Sequence, residues 1–258
     1  HLRIGRVPTP NTPLADRGEI VFDIVAQFNR SSPLIATRAE REQVAELNLL
    51  AAERARSSTA YASARRYLPA GAALLDESCW TTTPALAFRL QLQRAECAFL
   101  TDAPDEAEDL LAELSRRARG TVERSRVACL QIAMYTTLDQ GERAIAMGLA
   151  FLRVHGMEWP EHPSDDEVRH EYKRTREQVS AGSRDGLLAA PLTTDEEAEA
   201  TLDVLSKLTV PAFFINVPLF ALIVCRTVRL ILESGNSDAS PAAYVRLGIV
   251  ALRLFGDY

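Results

Sequence analysis

Residues Thr101–Ala118 read TDAPDEAEDLLAELSRRA. After a short polar turn, Ala107, Leu111 and Leu114 recur at three- and four-residue spacing and form one apolar edge of a helix. Asp105 and Glu106 fall in its first turn, and Arg116 and Arg117 in its last, each charge suited to the end it occupies. Nothing within such a helix covers its own apolar edge. Upstream, Ala95, Ala98 and Phe99 mark another helix, joined through the TDAP turn, so the stretch is one arm of a hairpin.

The arrangement recurs on both sides. Before it, Ala52 and Ala55 lead through a turn to Tyr61, Ala64, Leu68 and Gly71; after it, Ile132 and Tyr135 lead through LDQG to Ala144, Gly148 and Phe151. The alanines Ala64, Ala107 and Ala144 are spaced by 43 and then 37 residues, a period that belongs to stacked helix pairs. Small residues let two antiparallel helices approach, and Leu68, Leu111 and Phe151 fill the space against the next pair. One pair cannot bury both faces, so several must stack. The pattern resembles the tetratricopeptide repeat. Two residues depart from it: Arg94 stands where that repeat prefers an apolar residue, and Pro104 replaces an aromatic. The expected fold is all-α, a right-handed α-solenoid of antiparallel helix pairs, a TPR-like superhelix.

Composition agrees. The 258 residues are 47% hydrophobic and only 7% aromatic, rich in Ala, Leu, Glu and Arg, and nearly free of alternating Val/Ile/Thr runs. A net charge of −6 and a pI of about 5.4 disfavour a nucleic-acid partner, which would need a concentrated basic face. The basic cluster Arg116, Arg117 and Arg119 reads as a solvated helix end. Cys79, Cys97, Cys129 and Cys225 lie far apart with no CxxC pair and read as reduced thiols, mostly buried, in a cytoplasmic protein.

Residues 1–17 hold three prolines and read as an extended lead-in. Helices are expected at about 19–29, 37–56, 61–75 (with a kink at Pro69), 84–100, 104–118, 121–138 and 141–155. Then follow 165–181, 195–208, 218–233 and 241–255, with residues 182–191 a break. Thr37 with Glu40 makes a capping-box pattern, and Thr194 can cap the helix that runs to about Leu208. The organisation read from this is a linker over 1–17, helical repeats over 18–160, and further helical pairs over 161–258. The chain begins without a start methionine and ends within or just after a helical pattern, so it reads as a piece excised from a longer protein.

No catalytic constellation stands out. GxxxxGK[ST] and GxGxxG are both missing from the sequence. His162, Asp165, Asp166 and His170 could be imagined around a metal. The acids are better explained as first-turn residues of a helix capped by Ser164. Leu208–Cys225 is an uncharged run near the length of a membrane span. Pro211, Asn216 and Pro218 interrupt it, so PAFFINVP reads as a corner between helices and LFALIVCRTVRLIL as a buried helix.

Several stretches together resemble one family: HLRIGR, FDIVAQFNR, ERxxxAELNLLAAERARSSTAYASARRYL, LRVHGMEWPEHPSDDEV and PLFALIVCRTVRLILESGNSDASPAAYVRLGIV. They look like the helical middle region of very large bacterial multi-domain signalling proteins. In that family a Ser/Thr-kinase-like domain and an AAA/STAND-type ATPase precede this region, and GAF or PAS sensors and a histidine kinase follow it. The resemblance implies that HLRIGR is the tail of the ATPase module's winged-helix part and that further repeats follow GDY. It also implies that the catalytic and ATP-binding residues of the parent lie outside this segment. Pro69 departs from what that family would carry there.

The expectation is therefore a non-catalytic, cytoplasmic regulatory scaffold with no cofactor of its own. It would bind protein segments or other domains of its own chain and couple an ATPase module to an output kinase. Candidate groove residues are Arg89, Glu96, Phe99 and Tyr135. The alternative is a small-molecule-sensing helical domain. Trp159, Phe213, Phe214 and Tyr244 would line its pocket; as a third option, in a piece cut from a longer chain Phe213, Phe214 and Phe220 would form a docking surface for the missing neighbour.

Overall fold

The computed structural model describes residues 17–182 and 184–257. Most of the expected lead-in, with His1 and HLRIGR, lies outside the described residues; Arg17 already opens the first helix. The chain forms two compact units, one ending at Arg117 and the other beginning at Ala118, a boundary inside the range read as helical repeats. Both are all-α. Among the described residues the β pairing is a single isolated bridge between Leu192 and Asn236.

In the first unit, α1 spans Arg17–Arg30, α2 Arg38–Ser57, α3 Tyr61–Ala72, α4 Pro84–Leu100 and α5 Pro104–Arg117. A single helical turn, Cys79–Thr82, precedes α4. α2 pairs with α3, α4 pairs with α5, α3 packs on α4, and α1 covers the outer side of α2. Thr37 caps α2 by accepting from the Glu40 amide at 3.3 Å. Pro69 sits inside α3 three residues before its end, and the helix continues to Ala72.

In the second unit, α6 spans Gly120–Thr137, α7 Gly141–Val154, α8 Asp165–Ala181, α9 Glu196–Ile215, α10 Val217–Ser234 and α11 Ser240–Val250. A π-helical turn, Ala251–Phe255, follows α11. α6 pairs with α7 and α9 pairs with α10, and α9 packs on both α6 and α7 as the next layer. α8 instead lies along α10. It runs parallel to α10: Glu161 and His162 meet Asn216, while Glu171 meets Arg226 and Arg229.

The repeat is visible in the backbone. Thr59, Asp102 and Asp139 each take a left-handed conformation (φ near +60°) in the turns of the first three hairpins. In each turn the following amide reaches back to a carbonyl five residues earlier: Ala60 to Ala55 at 2.8 Å, Ala103 to Ala98 at 3.0 Å and Gln140 to Tyr135 at 2.8 Å. This is the hydrogen bond of a Schellman ending, and it satisfies carbonyls that a helix terminus leaves open. The turns keep the 43- and 37-residue spacing of Ala64, Ala107 and Ala144, all fully buried.

Two glycines set how closely layers approach. A Cβ on Gly71 would stand 2.9 Å from the Asn48 Cβ and 3.2 Å from Leu90 Cδ2; one on Gly148 would stand 2.6 Å from Leu208 Cδ1. In both units, then, the second helix of a hairpin offers a glycine to a leucine from the first helix of the next.

Three local expectations are corrected. Residues 182–191 hold a short helix, Arg184–Ala189. Asp195, rather than Thr194, caps α9, accepting from Glu197 and Ala198. And α9 runs on to Ile215, through Pro211, rather than ending near Leu208. Pro211 is buried, and Ile215 seats beside Gly141 at the start of α7, so packing outweighs the lost backbone donor. The corner between α9 and α10 is thereby reduced to Asn216, whose side chain caps α10 through the Leu219 amide at 3.0 Å.

Candidate functional site

The corner at Asn216 helps to form an apolar groove in the second unit. The end of α9, the start of α10 and the π-helical turn enclose a groove of about 590 Å³. Phe220 and Val250 are buried at its floor, and Phe213, Val217, Ile249, Leu252 and Leu254 form its walls with Arg253. The Phe213 ring stands edge-on to Phe214 and to Phe220, with centroids 5.2 Å apart in both pairs. Phe213 is 49% exposed and Phe214 78%.

Of the five residues expected around a pocket or docking surface, the structure thus gathers Phe213, Phe214 and Phe220. Tyr244 is elsewhere, packed with Leu202, Val228 and Ile231 at the opposite end of the α9/α10 hairpin. Trp159 lies over the Arg226 guanidinium, 4.7 Å from it. Val217, Ile249, Leu252, Arg253 and Leu254 were not anticipated. All but Val217 fall in GIVALRLF, an apolar run with one cation and no acid that reads as the end of an ordinary helix.

The second notable site is ionic. Glu171 on α8 is 6% exposed. It accepts from Arg229 at 2.5 Å, and Arg226 stands 3.8 Å away. Arg229 also reaches Gln178 at 3.2 Å and Glu233 at 3.4 Å. Burial draws the Arg226 guanidinium below its ordinary value, and the Glu171 charge opposes that. Nearby, Tyr172 donates to Asp257 at 2.7 Å and stacks on Phe255 at 4.0 Å. Burial and then that bond raise its phenol to about 12. These contacts fix α8 and the π-helical turn to one another.

The candidate groove residues take structural partners. Arg89 donates to Glu53 at 2.7 Å and Glu96 accepts from Arg56 at 2.6 Å, so two ion pairs tie α2 to α4. Phe99 is half-buried on α4. Arg94, out of place for a tetratricopeptide position, extends to 3.9 Å from Glu106, which also pairs with Arg65. Tyr135 belongs to the second unit and is buried; Arg143 lies over its ring at 4.2 Å and donates to its hydroxyl at 3.0 Å.

Ser164 makes both halves of a capping box with Glu167, and Asp165 and Asp166 stand exposed in that first turn. His162 faces Asn216 at 3.2 Å. Among the described residues no group of three or more His, Cys, Asp or Glu could hold a metal ion. All four cysteines are free, three of them buried. Burial pushes the thiols of Cys129 and Cys225 to about 12 and that of Cys97 to about 11, far from the thiolate form that reacts. Among the described residues no helix is long and apolar enough to cross a membrane.

No protein-family model matches the chain, and no solved structure matches it. The chain is similar to Hybrid signal transduction histidine kinase G of Dictyostelium discoideum, at 23% identity over 270 residues and 92% of this chain. It spans 8% of that relative's length. The similarity supports a connection with signal transduction.

Proposed function

We propose that the chain is a non-catalytic regulatory and interaction segment of a signal-transduction protein of the histidine-kinase type. It works in the cytoplasm, binds protein segments or other domains of its own chain, and couples an ATPase module to an output kinase. The observation that carries this reading is the similarity to a hybrid histidine kinase, which takes in nearly the whole chain but a small part of that kinase. Stacked hairpins suit the role, because small adjustments at each layer add along the array and neighbouring helices present continuous surfaces.

The test has two arms. The 258-residue chain alone, given ATP and magnesium, transfers no phosphoryl group. In the kinase that carries it, deletion of this segment leaves phosphoryl transfer intact but uncouples it from the upstream module. Turnover of ATP by the chain alone, or a kinase whose regulation is indifferent to the deletion, overturns the reading.

A second reading, small-molecule sensing, draws on the groove, whose volume of about 590 Å³ lies within the range of ligand sites. Its walls are close to half exposed, so a small ligand there would keep much of its surface in water. That ranks it behind protein binding.

A further inference from the structure

We infer that a cavity in the first unit, between the α1–α2 connection and the end of α3, binds a free α-amino acid with a large apolar side chain. The inference goes beyond the interaction role proposed above and does not rest on it.

The cavity holds about 460 Å³, within the range of small-ligand sites. Its lining among the described residues runs from Asn29 to Asp76, inside one unit and remote from both ends of the sequence. The floor is firmly held. Ile35 is 5% exposed, and Leu74 packs on both core clusters of the unit. Asn29 exchanges amide bonds with the fully buried Asn48 at 2.9 and 3.1 Å, which leaves one N–H and one lone pair of Asn29 for the cavity it lines. Ile35, Leu74 and Leu75 together offer an apolar seat.

Two opposite charges line the same cavity without pairing. Arg41 is half-buried, yet among the described residues it has no hydrogen-bond or ion-pair partner. Other arginines of this unit do take carboxylates: Arg38 with Glu42, Arg56 with Glu96 and Arg89 with Glu53. Asp76 accepts from the Ser78 hydroxyl and from the Ser78 amide at 3.0 Å, both on Oδ1, so Oδ2 is left open. Those bonds, and then the charges of Arg38 and Arg41, hold its carboxyl below the ordinary value and keep it ionised at neutral pH. The charge of Arg41 therefore reaches Asp76 although the two are not in contact.

A ligand that carries both charges fits this gap. A phosphate or a dicarboxylate would be repelled by Asp76, and a diamine by Arg41. An α-amino acid sets a carboxylate and an ammonium on one carbon, so one molecule meets both. Its carboxylate would take Arg41, and its ammonium Asp76 Oδ2. The ammonium has a second attraction. Ala70 and Ala73 bring the C-terminal end of α3 to the cavity, and the last turn of that helix has no basic residue. The negative end of a helix favours a cation.

Calorimetric titration of the 258-residue chain with L-leucine, L-phenylalanine and L-tryptophan tests the site. At least one should bind saturably. Its N-acetyl and carboxamide derivatives, each lacking one charge, should bind about tenfold or more weakly. Arg41→Gln and Asp76→Asn should each weaken the parent amino acid about tenfold or more with the circular dichroism unchanged. Ala73 is exposed, so Ala73→Phe should fill the cavity and abolish binding without disturbing the core. That variant decides the matter if Asp76→Asn loosens the turn at Ser78.

Failure of all three amino acids to bind, or binding indifferent to Arg41→Gln and Ala73→Phe, overturns the proposal. So does a carboxamide that binds as well as its parent. An N-acetyl derivative that binds as well or better also overturns it, and would give the cavity to the C-terminus of a polypeptide. The kinase deletion above reads coupling and not this cavity, so the two experiments fail independently.

Discussion

The two units solve the same packing problem with different means. The first joins its layers through apolar contact and a set of surface ion pairs, Glu53–Arg89, Arg56–Glu96 and Arg65–Glu106. The second inserts α8 between two layers in sequence and fastens it to α10 through Glu171, which is buried against two arginines. The first unit's pairs keep contact with water. The second unit's closest pair is more deeply set, with side chains 16% and 8% exposed, and the same unit leaves an apolar groove open. The difference teaches where charge holds structure together and where it only decorates a surface.

Removing one acid from each unit sharpens that contrast most. Glu171→Ala leaves Arg229, whose side chain is 16% exposed, without its closest acceptor. Breaking a fully buried pair from one side costs about 3 kcal/mol or more, and because Arg229 keeps Gln178 and Glu233 the loss here should be about 2 kcal/mol. Glu53→Ala removes the partner of an arginine that is 53% exposed, and a pair of that kind contributes under about 1 kcal/mol. Urea unfolding of the two variants should show the gap. Equal losses would mean that Glu171 is better hydrated than its burial implies.

The layer-setting glycines give the next largest effect, with the order reversed. At Gly71 an added methyl meets the Asn48 Cβ, an atom fixed to the backbone of α2. Asn48 is itself held by reciprocal amide bonds with Asn29 at 2.9 and 3.1 Å. Gly71→Ala should therefore cost about 1–2 kcal/mol by overpacking. At Gly148 the methyl meets side-chain atoms of Leu208 alone, Cδ1 at 2.6 Å, Cδ2 at 2.9 Å and Cγ at 3.2 Å, rather than an atom fixed to the backbone, and alanine also gains up to about 1 kcal/mol in helix propensity. Gly148→Ala should stay within about 0.5 kcal/mol of the parent, since the two terms offset. Thermal unfolding of both checks this; a larger loss at Gly148 would show that Leu208 has no room to move.

What could be read from the sequence follows the same line. The hairpins were legible because their signal is local: an alanine edge, a turn and a second apolar edge at fixed spacing. Ala64, Ala107 and Ala144 are all buried as that pattern requires. The path of α9 through Pro211 was not legible. A proline's cost is local, but the packing of Pro211 and Ile215 on Gly141 joins residues seventy apart. Trp159 was misplaced for a related reason: an aromatic beside an apolar segment looks like a pocket wall, and only tertiary structure brings Arg226 beneath it. Of the groove's lining, Phe213 and Phe220 were among the aromatics the sequence singles out. The groove's other wall depends on a π turn that no simple periodicity announces.

The smallest effect bears on the turns that both units share. Asp102 and Asp139 occupy the left-handed region with side chains that tolerate it, but Thr59 is β-branched and carries φ +58°. Thr59 is exposed. Its strain therefore has no offset in packing, and Thr59→Asn should stabilise the protein by about 0.5–1 kcal/mol. The same change at Asp102 or Asp139 should be close to neutral, because the residue there already accepts that backbone. A rise in melting temperature for Thr59→Asn alone, among the three, would confirm that one turn geometry repeats across both units and that only its first copy carries an ill-suited residue. No rise would mean that the Thr59 turn relaxes in solution away from the Ala60-to-Ala55 bond that defines it.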